Sequence, residues 1–105
     1  MDALEILNAN WKADDGSFLY YFHEENNFHE AAFLELCGCI SSLSRLRPRD
    51  QAVSSKIVFV YGQVLKHLLY HFDPQDLSSI SNLPSDYSEK LELLEKTVFH
   101  YFQCD

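Results

Sequence analysis

Apolar residues recur along this chain at intervals of three and four, the spacing that lines one face of a helix. Leu4 and Leu7 make a short first pair, with Asp2 placed near the positive end of a helix over residues 2–8. Asn8-Ala9-Asn10 then reads as a break, and Trp11 is expected to anchor the N-terminal segment on the rest of the domain. Over residues 17–25 the signal is mixed. Phe18, Leu19, Tyr20, Tyr21 and Phe22 are good strand formers, but Phe18, Tyr21 and Phe22 fall at helical spacing behind Asp15 or Ser17 as a cap. With no second strand-like run to pair with, a helix is predicted, and Tyr20 should point away from Phe18 and Phe22.

Two long helices follow. Over residues 27–46, Phe33, Leu36, Cys37, Ile40 and Leu43 share a face, with Asn27 and Glu30 in a capping arrangement and Pro48 enforcing an end near Arg45 or Leu46. Over residues 50–72, Val53, Ile57, Val60, Val64, Leu68 and Phe72 form one stripe. Val58, Phe59, Tyr61, Leu65 and Leu69 carry apolar character further round. A helix so broadly apolar is expected at the centre of the domain. Asp73 and Pro74 resemble the start of a helix of one or two turns. Ser85 is placed to cap a last helix in which Tyr87, Leu91, Leu94, Val98 and Tyr101 share a face. The predicted fold is all-α: a compact single-domain bundle of four to five helices over residues 1–105.

Composition supports this and adds little else. At 105 residues, 47% hydrophobic with three Gly and three Pro, the chain can bury one core without metal or disulfide help. No apolar run reaches the roughly 20 residues that span a membrane. The acidic start, Met1-Asp2-Ala3-Leu4-Glu5, lacks the basic and apolar regions of a signal peptide, and Cys37, Cys39 and Cys104 cannot all pair. A cytoplasmic location is the expectation.

Charge changes the picture more. The net charge is −8. Residues 1–40 hold eight acids against Lys12 alone, and residues 71–105 hold seven against Lys90 and Lys96. The middle is basic, with Arg45, Arg47, Arg49, Lys56 and Lys66 against Asp50. Acidic outer thirds disfavour nucleic-acid binding, which depends on neutralising phosphates, and favour a basic protein partner.

Few residues suggest chemistry. Gly16, Gly38 and Gly62 stand alone, so no phosphate-cradling loop is present. Cys37 and Cys39 point about 200° apart on a helix, without the second pair a zinc site needs; a buried Cys37 and an incidental Cys39 are expected. His67 and His71 have metal-ligand spacing on one helical face, with Asp73 as a conceivable third ligand, but the spacing also arises by chance on surface helices. His23, His29, Glu24, Glu25 and Glu30 are the acid–base candidates, yet no motif sets a nucleophile beside them. Neither enzyme activity nor a metal or cofactor is expected.

The residues that remain lie between 14 and 30, where carboxylates alternate with aromatics and no positive charge intervenes. Trp11 followed by Asp14 and Asp15, then Gly16-Ser17-Phe18-Leu19, further aromatics and His23-Glu24-Glu25, resembles small bacterial immunity proteins. These are encoded beside polymorphic toxins and contact-dependent growth inhibition toxins, and the resemblance covers residues 11–35. It implies a cytoplasmic protein that binds one cognate toxin domain, often a basic nuclease, and blocks its active site or substrate path. A monomer in a 1:1 complex is expected, with no direct contact to nucleic acid or membrane. The resemblance carries over no individual contact residue. From charge and clustering, the expected surface is Asp14, Asp15, Tyr20, Glu24, Glu25 and Glu30, with Asp86 and Glu89 as a second acidic patch. Singly, each of these carboxylates is ordinary for a solvated helix edge; their clustering points to a partner. The alternative is a helical adaptor that binds an amphipathic peptide along an exposed apolar patch at Val58, Leu65 and Leu69.

Overall fold

A computed structural model of the chain describes residues 2–46, 48–73 and 80–103. Among them are four α-helices, one π-helical turn and no strand, the all-α bundle that the periodicity predicts. The α-helices are α1 (Ala3–Lys12), α2 (Glu30–Leu43), α3 (Gln51–Phe72) and α4 (Tyr87–Gln103), and the π turn covers Tyr20–Glu24 between α1 and α2. No helix among the described residues is long and apolar enough to cross a membrane.

α1 packs on both α2 and α3, and α4 packs on both α2 and α3, so α2 and α3 occupy opposite corners of a four-helix bundle. The core runs between them through Leu7, Phe33, Leu36, Ile40, Ile57, Val60, Leu94, Val98 and Tyr101. α3 is therefore not the central helix that its composition suggests. It buries Ile57, Val60 and Val64, while Val58, Phe59 and Leu69 face outward and Phe72 lies exposed against Tyr87. A 22-residue helix with neighbours on only two sides cannot bury so wide an apolar surface.

Several local expectations change for identifiable reasons. α1 passes through Asn8-Ala9-Asn10 without a break and ends at Lys12. Ala13 then takes the left-handed conformation (φ 54°), with the backbone N–H of Asp14 donating to the Ala9 carbonyl and that of Ala13 to the Asn10 carbonyl. This is a Schellman closure built on alanine where glycine is usual. Asn10 stays helical because its side chain has a tertiary use. It is 1% exposed, its Nδ2 donates to the Ile6 carbonyl (3.0 Å), and its Oδ1 accepts from the backbone N–H of Leu19 (3.1 Å). Asn10→Ala should cost about 2 kcal/mol, because the buried Leu19 N–H loses its acceptor. A urea midpoint unchanged from wild type would refute that role.

Trp11 is not a buried anchor. It is 41% exposed, with the Lys56 ammonium 4.7 Å above its ring. α2 is capped by the His29 side chain, which accepts from Ala32 N (3.1 Å), and not by Asn27; the Tyr21 ring stacks on His29 at 4.2 Å and holds it there. α2 stops at Leu43, slightly earlier than Pro48 alone requires. Asp50 caps α3 by accepting from Ala52 N and Val53 N. α4 starts at Tyr87, with the Asp86 carbonyl accepting from Lys90 N. The short helix expected after Asp73 falls on residues 74–79, outside the described residues, as does Cys104.

Cys37 and Cys39 are both buried, contrary to the view of Cys39 as incidental. Burial pushes their thiols up to about 11 and about 12, which keeps both protonated and unreactive near neutral pH.

Candidate functional site

The site begins with the turn that follows α1. Gly16 sits at φ 92°, and Ser17, nearly buried, accepts at its Oγ from the backbone N–H of Tyr20 (3.1 Å). That cap starts the helical segment, which continues as the π turn through Glu24. Inside the bundle, Phe18 stacks on Phe22 at 4.9 Å and meets Phe28 and Phe33 edge-on, each at 5.3 Å. Phe18, Leu19, Phe22 and Phe28 thus all serve the core. With those side chains turned in, Tyr20, His23, Glu24 and Glu25 are left on the outer side.

The Tyr20 hydroxyl donates to Glu25 Oε1 (3.2 Å), and the Tyr21 ring packs edge-on against Tyr20 at 5.5 Å. The Tyr20 phenol is raised above its ordinary value, first by its bond to Glu25 and then by the charges of Glu25, Asp15 and Glu24. The charge of three carboxylates therefore acts on one phenol, and one of them, Glu25, bonds it. Asp14 and Asp15 stand exposed on the preceding turn. Among the described residues, no Lys or Arg forms an ion pair with Asp14, Asp15, Glu24 or Glu25; a histidine, His23, places Nε2 3.7 Å from Glu24 Oε1.

Glu30, Asp86 and Glu89 are arranged differently. Lys90 Nζ lies 2.8 Å from Glu30 Oε1 and 3.9 Å from Asp86 Oδ2, and Glu89 adds to the field that raises the Lys90 amine. Glu30 thus belongs with the second patch, where an internal cation already offsets part of the charge. Segment 80–82 closes against the loop ahead of α2. Ser81 N donates to the Asn26 carbonyl (2.7 Å), and Asn82 accepts from Phe28 N (2.6 Å) and donates to the Phe28 carbonyl (3.1 Å).

The periodicity gives no hint of the histidine pairing that results. His67 does not act with His71. His71 Nδ1 accepts from Ile80 N (2.9 Å), while His67 Nε2 lies 2.9 Å from His23 Nδ1, joining α3 to the π turn. The pair lines a cleft of about 190 Å³ with Trp11, Leu19, Phe59 and Gln63. Among the described residues, no three His, Cys, Asp or Glu gather as metal ligands.

The His67 imidazole is held below its ordinary 6.5, chiefly by burial and then by the charges of His23 and Lys66. A base whose folded pKa is lowered contributes stability that is complete above the unfolded value and is lost as pH falls through the folded one. The melting temperature is therefore expected to drop as the pH is lowered from above 6.5 to below it, and to drop less in His67→Gln. Equal pH slopes in the two proteins would remove His67 as the cause.

No known protein family, no curated protein and no solved structure matches this chain. A functional reading therefore rests on the surfaces themselves.

Proposed function

We propose that this chain is an inhibitor of the immunity-protein type, which binds a cationic partner domain, such as a basic nuclease toxin, and covers its active site or substrate path. The observation that carries the reading is the carboxylate cluster beside Tyr20, which no described Lys or Arg neutralises. Like charges held together without a cation are mutually destabilising, and a basic partner relieves that repulsion on binding. Tyr20, half-buried and braced by Tyr21, offers rigid contact area beside the charge. Asp14, Asp15, Glu24 and Glu25 supply the acceptors for partner Lys and Arg. Glu30, Asp86 and Glu89 form a weaker flank, because Lys90 shares their charge. The reading gives the chain no catalytic step, no cofactor and no metal, and it places the protein in the cytoplasm, where such a toxin would act.

The test is co-purification with the toxin domain encoded by the adjacent reading frame. A stable complex of one chain per domain, with the domain's activity suppressed, is the expected result. Absence of any complex with a neighbouring domain would end the reading.

A second reading, the helical adaptor, draws on the exposure of Val58 and Leu69 beside half-buried Leu65 on α3. Peptide binding there would be indifferent to charge reversal at residues 14, 15, 24 and 25, which separates the two.

A further inference from the structure

α3 carries a second apolar line, most of which the bundle leaves uncovered. Val58, Gly62, Leu65, Leu69 and Phe72 follow one another at intervals of four, three, four and three, the seam of a coiled coil. At about 100° per residue this line is turned away from buried Ile57, Val60 and Val64. Val58 is 56% exposed and Leu69 72% exposed, and Phe102 of α4 extends the same surface. Phe102 and Val58 share a shallow hollow with Ser54 and Ser55.

Gly62 stands in the middle of this line. A glycine inside a helix costs about 1 kcal/mol relative to alanine. Here a Cβ would meet nothing within 4 Å, so nothing inside the fold requires the glycine. A missing side chain at the midpoint of an apolar seam lets a second helix approach closely.

The flanking charges indicate which helix. Although the whole chain carries −8, the charges beside this seam balance. On α4, Glu92 pairs with Lys96 at 2.9 Å. That leaves Glu95, whose carboxylate accepts from the Tyr61 hydroxyl (3.4 Å) on the α4 side of the seam, and Lys66 on the opposite side of α3. When two α3 helices lie side by side in the same direction, a two-fold axis along the seam brings Lys66 of each copy towards Glu95 of the other. A surface with one cation on one edge and one anion on the other is self-complementary. A strongly basic partner gains nothing from it.

We propose that the outer face of α3 is a self-association surface, on which two copies of this chain pair through Val58, Gly62, Leu65 and Leu69. Each copy keeps its acidic face free for its own partner, so the pairing goes beyond the inhibitor reading and does not depend on it.

Sedimentation equilibrium of the full chain tests this, from micromolar concentration to about 1 mM. A reversible dimer is expected. Leu69→Glu and Gly62→Leu should each weaken it by at least about tenfold, with unchanged helical circular dichroism, because both positions face open space. Lys66→Glu should weaken the dimer, and the double exchange Lys66→Glu with Glu95→Lys should restore it. A chain that stays monomeric throughout this range overturns the proposal. So does a dimer that survives both Leu69→Glu and Gly62→Leu. A monomer whose seam variants instead lose binding to an amphipathic peptide would assign the face to a foreign helix and likewise overturn it. Lysine at residues 14, 15, 24 and 25 should not weaken the dimer, since it lowers the repulsion between two acidic copies, which keeps this test separate from that of the inhibitor function.

Discussion

Replacing Asp14, Asp15, Glu24 and Glu25 together by lysine is expected to weaken the complex with the cationic partner by roughly 3–6 kcal/mol, a factor of about 10²–10⁴ in Kd. The size follows from the arrangement. An exposed ion pair contributes at most about 1 kcal/mol, but four charges on two successive turns act on one surface, and reversing them turns attraction into repulsion. Part of the loss should lie in the association rate, because the four changes take the net charge from −8 to zero and remove the long-range attraction. The residual binding should therefore depend far less on salt. The fold should be nearly indifferent, within about 0.5 kcal/mol, since no described Lys or Arg pairs with these carboxylates. Glu5→Lys, at an exposed carboxylate on the first turn of α1, is the control and should bind nearly as wild type does. Calorimetry that finds equal affinity for the quadruple variant and this control would remove the surface assignment.

Phe18→Ala should be the most damaging single substitution for the fold, at about 3–5 kcal/mol. Phe18 has no exposed surface and touches three further rings, Phe22, Phe28 and Phe33, so truncation opens a cavity where the π turn meets α2. Against a total stability of about 5–15 kcal/mol for a domain of this kind, that loss leaves a large fraction of molecules unfolded near physiological temperature. Phe18→Leu, which keeps most of the volume, should cost far less. The two are compared by their urea midpoints, and equal midpoints would mean that the ring cluster does not carry this stability. The variant also bears on function. Phe18 and Phe22 fix the backbone that presents Tyr20, Glu24 and Glu25, so partial loosening should lower partner affinity before global unfolding is reached.

The acidic surface was legible in advance because charge is a property of composition. Asp14, Asp15, Glu24 and Glu25 read as one block along the chain, and a helical segment with Phe18 and Phe22 turned inward has to leave its polar residues outside. What stood between two readings there was strand against helix, and the absence of any second strand decided it. Two details were not legible. The widening of that helix into a π turn leaves no mark in the spacing of Phe18, Tyr21 and Phe22. The assignment of Glu30 to Lys90 depends on how α4 lies against the start of α2, sixty residues away.

Asn10 shows the other kind of difference. By propensity it ends a helix; in the bundle, its amide bridges the Ile6 carbonyl and the Leu19 N–H, and that pair of bonds outweighs the propensity cost. A similar shift affects His67, whose helical spacing to His71 suggested a shared ligand. The chain instead turns His67 to His23 and His71 to Ile80, because the nearest neighbours of a helical side chain belong to other elements.

By itself, then, the order of residues determined the helices, their approximate limits, the aromatic core of the π turn and the sign of the exposed surface. These depend on interactions within a few positions along the chain, where helical periodicity and capping chemistry act. Only the tertiary structure decided that α3 stands at a corner and not at the centre, leaving the Val58–Gly62–Leu65–Leu69 seam uncovered. The periodic pattern records how much of a helix is apolar. It does not record how many neighbours the bundle will supply, because that number depends on which helices pack together, and in a four-helix bundle each α-helix has only two adjacent partners.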